Sequence, residues 1–327
     1  MIILLVFILI FSIEQIEGNQ HSQEKNSIRY KYLKSALEKM HQKYYDESLA
    51  VLDSLENKFP DNPSAYFFKA MVYEMIMQDM EDNSKEKEFI ANVKKCQKFS
   101  NDNIYSNNKD LWAKYYLGSS YGLQAIHLAR NGALIGAFRL AYKGYNLMKQ
   151  IIDAEPEFYD AYGGMGMFLH WKDIGGGILM KNTDTEKYLR TSIEKGLYSY
   201  PSSMFVLLDI YYQKKDFTKT EEVAKNINKL FPRDPWPYYI LSICSVSNNE
   251  IKSSIDYLNL GLNKVNEIKP ISNYNLALFN FHLAKSYKTS GDVENADKYL
   301  KLSKTFLLKL SEIPETKRLK KEIKEGI

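Results

Sequence analysis

Across residues 277–303, apolar and small side chains recur at helical spacing in two stretches separated by a turn. Leu283 and Ala284 make a bulky–small pair, and Tyr287 follows about one turn later. Gly291-Asp292-Val293 interrupts the pattern, which resumes at Ala296, Leu300 and Ser303. Such spacing predicts two antiparallel helices. Ala284 and Ala296 are small enough for the two axes to approach closely, while the bulky neighbours fill the space above and below.

The same phrase returns along the chain. Leu207-Leu208-x-x-Tyr211 leads through Asp216-Phe217 to Ala224, and Lys69-Ala70-x-x-Tyr73 follows Pro60. Met165-Gly166-x-x-Leu169 follows Pro156, and Leu241-Ser242-x-x-Ser245 is a weaker copy. Tyr66 and Tyr162 each precede their pair by three residues. A first, degenerate unit runs from about Tyr30 through Tyr45, Ser48, Leu52 and Leu55. Pro60, Pro156, Pro201 and Pro232 are expected where second helices stop, because proline offers no N–H. Residues 109–156 are longer than one unit. Leu117-Gly118-x-x-Tyr121 sets their register, and Asn131-Gly132 supplies a turn between arms lined by Gly118, Gly122, Ala125, Ala129, Ala133, Ala137 and Ala141. One extended hairpin is expected there.

As a set, these repeats resemble the tetratricopeptide-repeat family, whose period is about 34 residues. Glu155-Pro156-Glu157-Phe158-Tyr159-Asp160-Ala161-Tyr162 and Gly196-Leu197-Tyr198 look like exported bacterial members. Ser48, Thr220 and Ser254 depart from the usual Ala, and Ser245 stands where an aromatic is usual. The resemblance implies an all-α superhelical solenoid of helix hairpins over residues 28–310, about seven units, with one extended hairpin in the middle. It also implies an extended stack whose first helices line an open concave face. Carried onto this chain, that face includes Phe67, Trp112, Tyr115, His170, Trp171, Phe205, Tyr212, Trp236, Tyr239 and Phe281, with all three tryptophans among them. Interfaces enrich such side chains.

The ends read differently. Ile2 to Phe11 is an unbroken apolar run, too short for the roughly 20 residues of a spanning helix but suited to a signal-peptide core. Residues 1–18 are therefore expected to be a signal peptide, with an uncleaved anchor as the alternative. The working location is then exported, periplasmic or extracellular, and no stable membrane span remains once the signal is removed. Residues 19–27 are expected to be flexible. The basic stretch 311–327 is expected to be a tail or the end of the last helix.

The formal charge of +4 is spread along the chain, without the clustering that a nucleic-acid footprint requires. Cys96 and Cys244 are expected to be two separate thiols. His21, His41, His127, His170 and His282 show no metal-ligand spacing, so neither metal nor cofactor is expected. Asp173-Ile174-Gly175-Gly176-Gly177-Ile178 lacks the Gly-Lys-Ser/Thr ending of a phosphate loop and reads as a connection beside His170 and Trp171. With no nucleophile motif either, the expected function is a non-enzymatic scaffold holding a protein or peptide in an aromatic groove. The alternatives are an envelope-assembly component bound through the convex face or the 109–156 hairpin, in peripheral association with the envelope, and a small-molecule or glycan-binding module.

Overall fold

The computed structural model describes residues 20–175, 184–310 and 314–325, and among these every regular element is a helix. The short helix α1 (Gln20–Glu24) comes first. Seven hairpins follow: α2 (Ile28–His41) with α3 (Tyr45–Lys58), α4 (Pro63–Met80) with α5 (Glu86–Ser106), and α6 (Leu111–Arg130) with α7 (Leu134–Ala154). Next come α8 (Tyr159–Gly175) with α9 (Asp184–Lys195), and α10 (Tyr200–Gln213) with α11 (Phe217–Leu230). The last two are α12 (Trp236–Ser247) with α13 (Ile251–Glu267), and α14 (Asn273–Ser290) with α15 (Val293–Leu307). Helix α16 (Pro314–Glu325) ends the described chain.

Each hairpin is built the same way. Second helices bury one narrow stripe, such as Thr220, Val223, Ala224 and Ile227 on α11 or Phe89, Val93, Cys96 and Ser100 on α5. First helices are apolar on several faces and lie between neighbours; α4 buries residues all round its axis. In six hairpins the turn holds one residue in the left-handed region: Lys43, Glu81, Gly132, Lys215, Asn249 or Gly291. In each, the next amide bonds back five residues, as Tyr44 N–H does to Lys39 and Asp292 N–H to Tyr287. That is the helix-ending arrangement satisfying the otherwise orphaned carbonyls.

Small hydroxyl residues on the second helices, Ser48 at the usual alanine position and Ser303 two turns beyond Ala296, keep the volume low and add a bond. Ser48 Oγ donates to the Ala36 carbonyl and Ser303 Oγ to the Ala277 carbonyl, both at 2.8 Å, tying second helix to first. In the 109–156 hairpin, a Cβ on Gly144 would lie 2.7 Å from the Gly118 carbonyl oxygen, so the backbones meet where no side chain fits. This hairpin is long as expected, but α4 and α5 are of similar length. A further repeat mark joins the hairpins: the hydroxyls of Tyr66, Tyr162 and Tyr238 donate to the carbonyls of Pro60, Pro156 and Pro232. Pro201 differs from expectation. It opens α10 in the first turn, where its missing N–H is harmless.

The stack is not extended. It curls until α14 packs against α4, and the turn after α2 meets the loop before α12. At this seam the Lys43 ammonium lies 3.1 Å from Asp79 and 3.5 Å from Asp234, all three within the contact. Tyr45 hydroxyl donates to Asp79, and Ser272 hydroxyl donates to the Asp79 carbonyl. Gln42 amide donates to the Leu230 carbonyl at 3.0 Å, while the Arg233 guanidinium covers the Tyr44 ring at 4.2 Å. His41 stacks on Phe205 and Phe231, and burial followed by the Lys43 charge pushes its pKa down to about 3. It is therefore a neutral aromatic spacer at physiological pH.

Candidate functional site

The first helices line the inner wall of the curl, and the first and last helices of the described chain pack against them. Helix α1 is seated against α6 and the start of α8. Trp112 Nε1 donates to the Gln20 carbonyl at 3.1 Å, and the Leu111 amide donates to the Gln20 side-chain oxygen at 3.0 Å. The Glu155 carboxylate accepts from the Gln20 and His21 amides at 2.9 and 3.0 Å. Amides at a helix start are good anion partners because no preceding carbonyl uses them.

His21 enters a ring of aromatics, stacked on Trp112 and edge-on to Phe158 and Tyr159. Its Nε2 lies 2.8 Å from Asp160 Oδ2. Asp160 is fully buried and accepts three more bonds, from the amides of Leu197, Tyr198 and Ser199 at 2.9, 2.8 and 2.7 Å. Burial alone raises its pKa. The His21 hydrogen bond and charge, with the amides, outweigh that and hold the carboxyl below its ordinary 3.8. Glu24 finishes the seat, paired with Arg29 at 2.8 Å and accepting from the Tyr198 hydroxyl at 2.9 Å. Residues 20–24 are thus a docked helix with His21 and Glu24 buried, which corrects the expectation of a flexible segment over 19–27.

Helix α16 occupies the other end of the wall. Leu319 and Ile323, one turn apart, are buried with Tyr274, Ala277, Leu278 and Phe281 of α14, with Tyr239 against them. Of the basic residues between them, Lys321 is exposed and Lys320 is half-buried, its ammonium donating to the Leu310 carbonyl at 3.4 Å. Residues 314–325 therefore form a packed last helix of their own, beyond the seven hairpins.

The aromatic positions divide accordingly. Phe67, Trp112, Tyr115 and Phe281 are buried, the first three in one cluster with Phe158 and Tyr198. His170 is buried as well, with Nε2 2.7 Å from Asp209. As an open groove wall these five are corrected: each is buried in packing between helices, Trp112 under α1 and Phe281 under α16. Phe205 is half-buried on His41. Tyr239 is half-buried, its hydroxyl 3.1 Å from His282 Nε2. Trp171, Tyr212 and Trp236 remain exposed at 47, 37 and 40 %. The structure brings together Trp112 with Tyr115 and Trp236 with Tyr239, whose ring centres are 5.4 and 4.9 Å apart.

His21, Glu155, Asp160 and Tyr198 are the side chains that periodicity did not reveal. The unusual stretches 155–162 and 196–198 were the only signal, and the structure joins them through Asp160. Elsewhere, His127 bridges Glu74 and Glu86 at 2.9 and 3.2 Å, an ion-pair knot between α4, α5 and α6. Among the described residues no cluster could hold a metal ion. Cys96 and Cys244 are free and buried, their thiols pushed up to about 12 and about 11 by burial. The glycine loop beyond Gly175 and the apolar run Ile2 to Phe11 lie outside the described residues.

Repeating hairpins with one left-handed turn residue, a small-residue contact between their helices and a tyrosine–proline tie define a tetratricopeptide-type helical repeat fold. No family model matches the chain, and no curated protein matches it. Solved structures similar to it include the C-terminal part of a TPR repeat-containing protein from Cytophaga hutchinsonii, at 17% identity and TM-score 0.44 over 88% of this chain and 98% of that one. PilW, a type IV pilus biogenesis factor, is similar at 14% identity and TM-score 0.44 over 71% and 90%. The human IFIT1 dimer with m7Gppp-AAAA is similar at 13% identity and TM-score 0.45 over 88% and 76%. The hairpin geometry, not these superpositions, carries the fold.

Proposed function

We propose that the chain is a non-enzymatic scaffold that holds a short peptide segment of a partner protein on its inner aromatic wall. One observation carries this reading: the wall already grips such a segment, α1, by its backbone as well as its side chains. Glu155 takes two amides of α1, Trp112 takes a carbonyl, and Asp160 takes one imidazole in an aromatic ring. A grip on backbone atoms accepts any segment of suitable shape, while the imidazole pocket selects among them. Exposed Trp171, Tyr212 and Trp236 extend the contact surface beyond the seat. We further place the work outside the cytoplasm, on the strength of the apolar run Ile2 to Phe11.

The seat is tested with a labelled peptide of residues 19–27 added in trans. The full chain carrying Gln20→Gly and His21→Gly keeps the α1 backbone but loses the side chains held by Leu111 and Asp160, so its own occupant is weakened and it is expected to bind the peptide, read by fluorescence anisotropy. Wild type, already filled, is expected to bind at least about ten-fold more weakly. A variant that keeps its helical circular dichroism and binds no peptide overturns the reading.

A further inference from the structure

The α6–α7 hairpin exposes a row of large apolar side chains on α7. On α7, Leu134, Phe138 and Tyr142 follow one another at intervals of four and are 67, 56 and 50 % exposed. Ile135, Arg139 and Lys143 form the adjacent row, also exposed, with Ile135 at 75 %. Residues four apart lie on one helix face, so a greasy row and a mainly cationic row run side by side from the hairpin tip. Between Leu111 and Asp153 the sequence has no Asp or Glu, but it has Lys114, Arg130, Arg139, Lys143 and Lys149.

Two carboxylates that face α6 are already paired. Glu74 and Glu86 pair with His127, and Glu74 with Arg130, on the inner side of α6. On the other flank, α8 offers Phe168, whose ring lies 6.3 Å from Phe138, 6.2 Å from Tyr142 and 4.5 Å from Tyr145. Lys143 sits over the Tyr121 ring at 5.6 Å and makes no ion pair among the described residues, nor does Arg139. No described helix is long and apolar enough to cross a membrane.

From the pairing of these two rows we infer that the α6–α7 hairpin docks on an anionic lipid bilayer, lying at the surface. Leu134, Ile135 and Phe138 enter the boundary between headgroups and acyl chains, Tyr142 sits at headgroup level, and Arg139 and Lys143 meet lipid phosphates. The combination of an exposed apolar row with cations and no acids on the same arm is what such a surface requires. A protein partner of ordinary composition does not require an acid-free arm. The inference is independent of the peptide seat, which lies on the inner wall.

The test uses the full chain with vesicles of phosphatidylcholine alone or mixed with phosphatidylglycerol. A fluorescent maleimide is attached at position 135 in an Ile135→Cys variant; buried Cys96 and Cys244, with thiols pushed to about 12 and about 11, stay unlabelled. The dye reports this surface alone, separately from any contribution of the apolar N-terminal run. Mixed vesicles are expected to shift its emission to the blue, and added salt to reverse the shift. Arg139→Gln with Lys143→Gln is expected to weaken binding about 25-fold, about five-fold per cation lost. Phe138→Ser is expected to weaken it at least about ten-fold. An unmoved dye spectrum on mixed vesicles overturns the proposal. So does a wild-type dimer in solution that Phe138→Ser converts to monomer without any vesicle response, which would make the rows a self-association face.

Discussion

Asp160→Ala is expected to lower the stability of the chain by about 3–5 kcal/mol, measured as the shift in urea unfolding followed by circular dichroism. The carboxylate is fully buried and accepts from His21 and from three consecutive amides. Its removal leaves all four groups facing a dry cavity, and each unsatisfied buried donor costs about 1–3 kcal/mol unless the site relaxes. Asp160→Asn keeps one carbonyl oxygen where Tyr198 and Ser199 donate but turns donor against donor elsewhere, so an intermediate loss is expected. The pH dependence has a definite sign. Because the folded carboxyl is held below 3.8, its contribution is complete above that pH and is lost as pH falls through the depressed value. The gap between wild type and Asp160→Ala is therefore constant near neutrality and closes in acid. A loss under 1 kcal/mol would mean that Asp160 is not the joint between α1, α8 and the turn before α10.

The second large effect belongs to the seam. Lys43→Ala is expected to cost about 3–5 kcal/mol, because Asp79 and Asp234 then face each other without their shared cation. Burial raises the Asp234 carboxyl from its ordinary 3.8, while the Lys43 charge opposes that. In the variant the opposition is gone, so protonation relieves the repulsion and the deficit narrows as pH is lowered towards the carboxylate range. The Lys43 ammonium is itself raised from 10.5: burial lowers it, but Asp234 and Asp79 together more than compensate. Its contribution is full below 10.5 and disappears as pH rises through the higher folded value. Lys43→Gly separates charge from backbone. Lys43 has φ of 63°, so glycine removes the cation yet relieves a left-handed strain of about 1 kcal/mol, and should be less damaging than alanine. Unfolding by urea at two pH values reads both variants against wild type. Equal stability of Lys43→Ala and wild type would contradict a closed seam.

The hairpins were legible because their cause is local. A bulky–small pair, an aromatic one turn on and a small residue beyond the turn are all within one repeat, and the structure places Ala284, Ala296 and Ser303 between α14 and α15. The long 109–156 hairpin was legible from its spacing, whereas the similar length of α5 was not, since no proline stands between Pro63 and Pro156 to mark its end. Pro201 was misplaced because proline suits the first turn of a helix as well as the stop after one.

The candidate site was less legible. The curl brings Lys43 to Asp234 and Ser272 to Asp79, single residues about 190 positions apart with no periodic signature. Helix α1 has five residues, too few for an amphipathic pattern to show. Helix α16 did leave a trace, Leu319 and Ile323 four apart within the basic stretch, but charge dominated its appearance. The ten aromatic and histidine positions lie on first helices. What sequence could not supply was how far the stack curls, which decides whether such a ring lines a groove or fills one.

The claim on which the functional reading turns is that α1 stays seated on the inner wall. Hydrogen–deuterium exchange reads it directly through the amides of Gln20 and His21, which donate to Glu155, and those of residues 197–199, which donate to Asp160. Slow exchange of both groups in wild type, and fast exchange of residues 20–24 in Glu155→Ala, are predicted. Exchange of residues 20–24 in wild type at the rate of an unstructured peptide would contradict the account.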